Sequence, residues 1–337
     1  MNKKKYLLLL IGLVLIISIL VTLSLGSVHV PFGLTVKIIL NELPLLEFEQ
    51  VWLATQESIV LDLRLPRVFV AVLVGAMLAT AGVAFQGVLR NPLADPYILG
   101  ISSGAAVGAA AAILLVSTAN TVLAKVAVPL FAFTGALVSM VLVFALAWRR
   151  KRDTVTMILA GVVIQSFLGA LLSFAVTISG DKLRSIVFWM MGSLVSTGWL
   201  DFLFLLPYLV IGFVLIFAYH RNLNILSLGE QAAEHLGMNV ERIKIIVLVA
   251  ASLLTASAVS VVGIIGFVGL IVPHMVRLIV GPDHKILIPA SCLAGAVFLL
   301  WSDTIARTII PTMDIPIGVI TALAGAPFFG YLLKKRV

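Results

Sequence analysis

A single cysteine, Cys292, sits inside an apolar run, so neither a disulfide framework nor a thiolate metal cluster can form within one chain. It reads as a small packing residue. Charge is scarce as well: 11% of the 337 residues are charged and 61% are hydrophobic, whereas soluble globular chains carry about 25% charged residues. With a mean hydropathy of +1.19, a water-soluble fold is excluded. The marks of catalysis are missing too. The five histidines (His29, His220, His235, His274 and His284) never approach the His-Glu-x-x-His spacing of a zinc protease, and no Gly-x-x-x-x-Gly-Lys phosphate loop occurs. No histidine-cluster or paired-carboxylate constellation supports an intramembrane enzyme. The chain is therefore not an ATP-hydrolysing motor, and no cofactor is implied. Carboxylates are nearly absent from the apolar runs, where a transporter driven by protons or sodium would need them.

What is abundant is apolar sequence in pieces long enough to cross about 30 Å of hydrocarbon, roughly 17–25 residues each. Stretches such as Tyr6 to Leu25 and Val126 to Ala147 are apolar on every side. A β-barrel would alternate in polarity instead, so an all-α polytopic fold is predicted. Hydrophobic segments fall near 6–26, 68–88, 98–116, 126–147, 154–178, 200–219, 245–264, 266–280, 286–305 and 316–333, giving ten spans in one transmembrane domain over 1–337. The first follows Met-Asn-Lys-Lys-Lys and is too long for a signal-peptide core, so it reads as a retained span. The third is rich in Ala and Gly, which lets helix backbones approach closely. The eighth is short and holds Pro273.

An even number of spans puts both termini on one side. Of 23 lysines and arginines, sixteen fall on that side, while Lys37, Arg64, Arg67, Lys125, Lys182, Arg184 and Arg307 fall opposite. The positive-inside rule makes both termini cytoplasmic. The net charge of +8 is then a topological signal that suits an anionic inner leaflet, with no call for nucleic acid. Leu73 to Val83 (LVGAMLATAGV) and Val249 to Val259 (VAASLLTASAV) resemble each other five spans apart, an odd offset that would run two copies in opposite directions. The copies would be about 64–178 and 245–334.

The longest cytoplasmic connection, 220–244, contains Ser227-Leu-Gly-Glu-Gln-Ala-Ala-Glu-His-Leu-Gly237. Ser227 can cap a short helix, Glu230 suits its first turn, Gly237 can close it, and Val240 to Lys244 starts another helix. Two such helices in a loop-poor protein suggest a docking surface. Asp303 lies one turn from Arg307 and can pair with it. His274 sits at the Pro273 turn near Arg277 and is expected to meet the cytoplasm.

The run Gly229 to Gly237 resembles the coupling segment of permeases that import iron chelates and vitamin B12 with an ATP-binding-cassette (ABC) motor. Arg64-Leu-Pro-Arg67, Gln86-Gly-Val-Leu-Arg-Asn-Pro-Leu-Ala-Asp-Pro96, Gly266-Phe-Val-Gly-Leu-Ile-Val-Pro-His274 and Ile315-Pro-Ile-Gly-Val-Ile-Thr321 are similar to the same family in the same order. The resemblance implies a type II importer permease of ten spans in a bacterial or archaeal inner membrane, paired with a second permease subunit, in the simplest case a second copy. Two ATPase subunits would lie below and an extracytoplasmic substrate-binding protein above. It also implies that Gly229, Glu230, Ala233, Leu236 and Gly237 couple to the ATPase. By the same resemblance Arg64, Arg67 and Arg307 dock the binding protein, a role that suits guanidinium. Asn91, Leu93, Thr154 and Val155 would narrow the cytoplasmic end of the path, although an apolar Val155 departs from the small hydroxyl expected there. An iron chelate such as a siderophore or haem is the expected cargo, with a corrinoid or an oxyanion as alternatives.

Overall fold

The computed structural model describes residues 2–26, 28, 30–42, 48–116, 121–147, 154–310 and 312–336. The helices, in chain order, are α1 Asn2–Ser24, α2 Phe32–Asn41, α3 Ala54–Ser58, α4 Leu65–Val88, α5 Ile101–Leu115, α6 Thr121–Ala147, α7 Thr154–Thr177 and α8 Leu183–Met190. They continue as α9 Trp199–Ala218, α10 His220–Leu226, α11 Glu230–His235, α12 Val240–Val262, α13 Val268–Val280, α14 His284–Thr308 and α15 Ile317–Arg336. A six-residue π-turn, Ile59–Arg64, leads into α4, and a 3-10 turn, Pro96–Leu99, precedes α5.

Each of the ten hydrophobic segments falls on one helix. Among the described residues, 7 helices are long and apolar enough to cross a membrane: those within α1, α4, α6, α7, α9, α12 and α14. The other three segments correspond to the shorter apolar helices Ile101–Leu115, Val268–Val280 and Ile317–Phe328. The sequence reading assigned nothing between the first two segments, where α2 and α3 lie. There Val30, Ile38, Trp52 and Val60 form a small satellite core, with Trp52 Nε1 donating to Glu57 Oε2 at 2.9 Å.

Side-chain size sorts the helices. Bulky α1 and α9 bury only 22% and 17% of their apolar window, so they form the rim; α4 and α12, each with runs of small residues among valines and leucines, bury 89% and 72% and form the centre. These are the two helices that carry the internal echo. Small residues let backbones touch where lipid offers no hydrophobic drive between helices. A Cβ on Gly75 would lie 2.2 Å from the Gly295 carbonyl oxygen of α14, and one on Gly82 would lie 1.9 Å from that of Gly269 in α13. The Ala/Gly-rich α5 packs on α6 in the same way, Gly104 and Gly108 facing the carbonyls of Gly135 and Phe131.

Between α12 and α13 the chain runs irregularly through 263–267, and buried irregular backbone needs internal partners. Tyr97 supplies them. Its hydroxyl donates to Ile265 O at 2.8 Å and accepts from Ile265 N at 3.2 Å. Pro273 lies inside α13 and lacks the N–H that would pair with the Gly269 carbonyl. Gln86 Nε2 lies 3.5 Å from that oxygen and 3.0 Å from Leu270 O. His274 is 4% exposed, buried in α13, which corrects the expectation that it meets the cytoplasm.

Candidate functional site

The bundle has two ends. At the basal end Lys4 Nζ approaches Gly281, and the predicted coupling segment lies there with the start of α14. Asn224 of α10 donates to Asp283 Oδ1 at 2.8 Å, and its Oδ1 accepts from His284 N at 2.9 Å. Asp283 in turn accepts from Lys285 N at 3.0 Å and caps α14. The Asn224 amide holds the Asp283 carboxyl below its ordinary value, against the opposing loss of solvent. Asp283 directly before an apolar helix was a readable N-cap signal that the sequence reading passed over.

Ser227 does not cap α11. It ends α10, its Oγ donating to Asn224 O at 2.6 Å, and Gly229 takes the N-cap position at φ +114°. Only a residue without Cβ adopts that backbone cheaply. Glu230 occupies the first turn of α11, and Gly237, at φ +80°, follows its end with its N–H on Glu234 O at 2.9 Å. Ala233 is fully buried and joins the main core. Leu228 and Leu236 are 68% and 65% exposed. Val240 opens the long helix α12, capped by Asn239 through Arg242 N. The five predicted coupling residues therefore lie together: one anchor, two turn-forming glycines, one exposed leucine and one acid. Glu230 Oε1 lies 2.6 Å from Lys244 Nζ and 3.3 Å from Arg90 Nη2. Neither basic residue was singled out from sequence.

The chain leaves α4 through Arg90, at φ +50°, with Asn91 N bonded to Gln86 O at 3.2 Å. Asn91 Oδ1 accepts from Leu93 N at 2.9 Å, and Asn91 and Leu93 are exposed. Asp95 Oδ1 accepts from Tyr97 N at 2.8 Å, capping the 3-10 turn. Loss of solvent pushes the Asp95 carboxyl up to about 6, and the Tyr97 N–H opposes this. Thr154 begins α7, its side chain outside the described residues, and Val155 is 62% exposed. Among the described residues no side-chain hydrogen bond joins the two predicted gate segments. They share a frame instead, because Gln165 Nε2 of α7 donates to Tyr97 O at 2.9 Å.

At the distal end the three predicted docking arginines make contacts within the chain. Arg64 is 6% exposed and donates to the carbonyls of Leu23, Ser24 and Val28 at and beyond the end of α1. Arg307, 5% exposed, donates to Thr22 O at 2.6 Å. Arg67 grips Asp303 with two nitrogens, Nε at 3.0 Å and Nη2 at 2.8 Å, and reaches Asp314 with Nη1 at 2.8 Å. The expected pair of Asp303 with Arg307 is present at 3.5 Å, but Arg67 is its closer partner. Helix-end carbonyls and a buried carboxylate thus engage all three guanidiniums within the chain. An open cavity of about 560 Å³ lies beside the irregular 263–267 segment, walled by Met190, Met191, Ile264, Phe267, Val319 and Ala322.

Apolar helices around a small-residue centre, seven of them among the described residues long enough to cross a bilayer, define a polytopic membrane protein. The chain belongs to the FecCD transport family, whose sequence profile matches residues 14–335. It is a transport permease, as the motifs implied. It is 48% identical over 283 residues to the cobalamin import system permease protein BtuC of Halobacterium salinarum, covering 84% of this chain and 75% of the relative. With the hemin transport system permease protein HmuU of Yersinia pestis it shares 37% over 334 residues, covering 97% and 96%. A solved inward-facing structure of a metal-chelate type ABC transporter superposes with a TM-score of 0.84 at 32% identity, covering 98% of this chain and 99% of that one.

Proposed function

We propose that this permease is the membrane subunit of an ABC importer for a metal chelate, a siderophore or haem complex of iron. The carrying observation is the superposition along almost the whole chain on a metal-chelate type ABC transporter. A corrinoid cargo is the second reading, favoured by the higher identity to the cobalamin permease than to the hemin permease. In either case the ten apolar segments span the bacterial or archaeal inner membrane with both termini cytoplasmic, and 64–178 and 245–334 form inverted halves. Two permease subunits meet around the path, with a substrate-binding protein above. The apolar cavity holds solute weakly, because it offers no charge.

Below, two ATPase subunits receive the coupling segment. Gly229 and Gly237 bend the chain around α11, Ala233 anchors it, and Leu236 enters the motor. Closure of the motor tilts the bundle and moves Asn91, Leu93, Thr154 and Val155 at the cytoplasmic mouth, where apolar side chains block by closing around the path. Assembly tests this reading. A tagged chain co-expressed with candidate ATPases should retain one through purification, and Leu236→Asp should release it while the chain stays folded. Equal retention by Leu236→Asp would remove Leu236 from the contact, and a chain that retains no ATPase would overturn the importer reading.

A further inference from the structure

Three elements meet at Glu230. Its carboxylate on α11 contacts Lys244 at 2.6 Å, in the second turn of α12, and Arg90 at 3.3 Å, directly after α4. These are the two central helices, so one side chain bridges the exposed short helix to the core of the bundle. Lys244 is 3% exposed, and a buried ammonium requires a close anion.

The backbone of Arg90 is a separate observation. Its φ of +50° and the bond from Asn91 N to Gln86 O close α4 in a left-handed turn of the kind usually given to glycine. Among the described residues only Arg90 and Phe267 adopt positive φ without being glycine. A strained backbone of this kind persists only where the surrounding structure holds it. Here the Arg90 side chain reaches Glu230, and a Cβ on Gly229 would lie 3.6 Å from its Nη1. The next residues are Asn91 to Leu93, the predicted gate turn.

Van der Waals contact, such as that of buried Ala233, transmits a push but separates under a pull. An ion pair holding a buried ammonium resists separation. A transport cycle requires motion in both senses. We propose that Glu230 is a positioning residue that ties α11 to α4 and α12 through Arg90 and Lys244, so that both the advance and the return of the coupling helix reach the Asn91–Leu93 turn. This rests on the coupling reading above and gives Glu230 an inward role, leaving the motor contact to the exposed leucines.

The test uses the chain reconstituted with its ATPase and binding protein, reading ATPase retention, melting temperature and cargo moved per ATP. Arg90→Gly removes the side chain while easing the backbone. It should retain the ATPase and melt at or above the wild-type temperature, yet move about tenfold less cargo per ATP, within the usual range for coupling between sites. Lys244→Met should reduce cargo per ATP similarly, and Arg90→Lys should restore part of it. Unchanged cargo per ATP in Arg90→Gly would overturn the proposal. So would loss of the ATPase on Glu230→Gln but not on Arg90→Gly, which would make the carboxylate a direct motor contact. Failure of the importer reading looks different: the wild type itself would show no ATP-driven uptake.

Discussion

Replacing Arg67 by Met separates a structural from a docking role for the distal arginines. Arg67 gives Asp303 two hydrogen bonds, and Asp303 is 1% exposed. The substitution keeps the bulk but leaves that carboxylate with Arg307 Nε at 3.5 Å. Removing one partner of a buried pair costs about 3–5 kcal/mol. The second partner, Asp314, is 29% exposed and rehydrates, adding at most about 1 kcal/mol. Arg67→Met should therefore destabilise the chain by about 3–5 kcal/mol. Adding Asp303→Asn removes the stranded carboxylate but takes the ion-pair partner from buried Arg307, so it should recover only part of that loss. Denaturation in mild detergent, run as a double-mutant cycle beside binding-protein affinity, measures both effects. A loss below about 1 kcal/mol in the single variant, typical of an exposed pair, together with abolished docking, would refute the structural role and support the docking one.

Gly82→Ala would set a Cβ 1.9 Å from Gly269 O, forcing α4 and α13 apart at a cost of about 1–3 kcal/mol, visible as a lower melting temperature. Tyr97→Phe removes the hydroxyl that serves both backbone groups of Ile265; each orphaned group costs about 1–3 kcal/mol, and hydrogen exchange at the Ile265 amide should accelerate. The Asp95 carboxyl sits at about 6 against an ordinary 3.8, so between these values the folded state binds more proton than the unfolded. Its contribution is full below 3.8 and fades as pH rises through about 6, and Asp95→Asn should flatten that part of the stability–pH curve. An unchanged curve would remove Asp95 as its source.

Local chemistry was readable in the sequence and distant partnership was not. Helix placement, the buried character of the Leu73 and Val249 runs, and the shortness of the segment around Pro273 follow from hydropathy, residue size and proline, which act within a few residues. The first-turn place of Glu230 and the closing role of Gly237 follow from capping rules on the same scale. Ser227 misled because Gly229, two residues later, could also start the helix, and only the backbone path chose between them. The fate of Arg67 depended on Asp303, 236 residues away, and a charged residue beside a span looks the same whether it faces a partner or a neighbouring helix. Arg90 gave no signal, since a left-handed helix end predicts glycine or asparagine.

ATP-driven uptake tests the account most directly. The wild-type chain, its ATPase and its binding protein in sealed proteoliposomes should accumulate ferric chelate, haem or cobalamin only when ATP is supplied on the ATPase side, and an imposed proton or sodium gradient should have no effect. Accumulation driven by such a gradient without ATP would contradict the account.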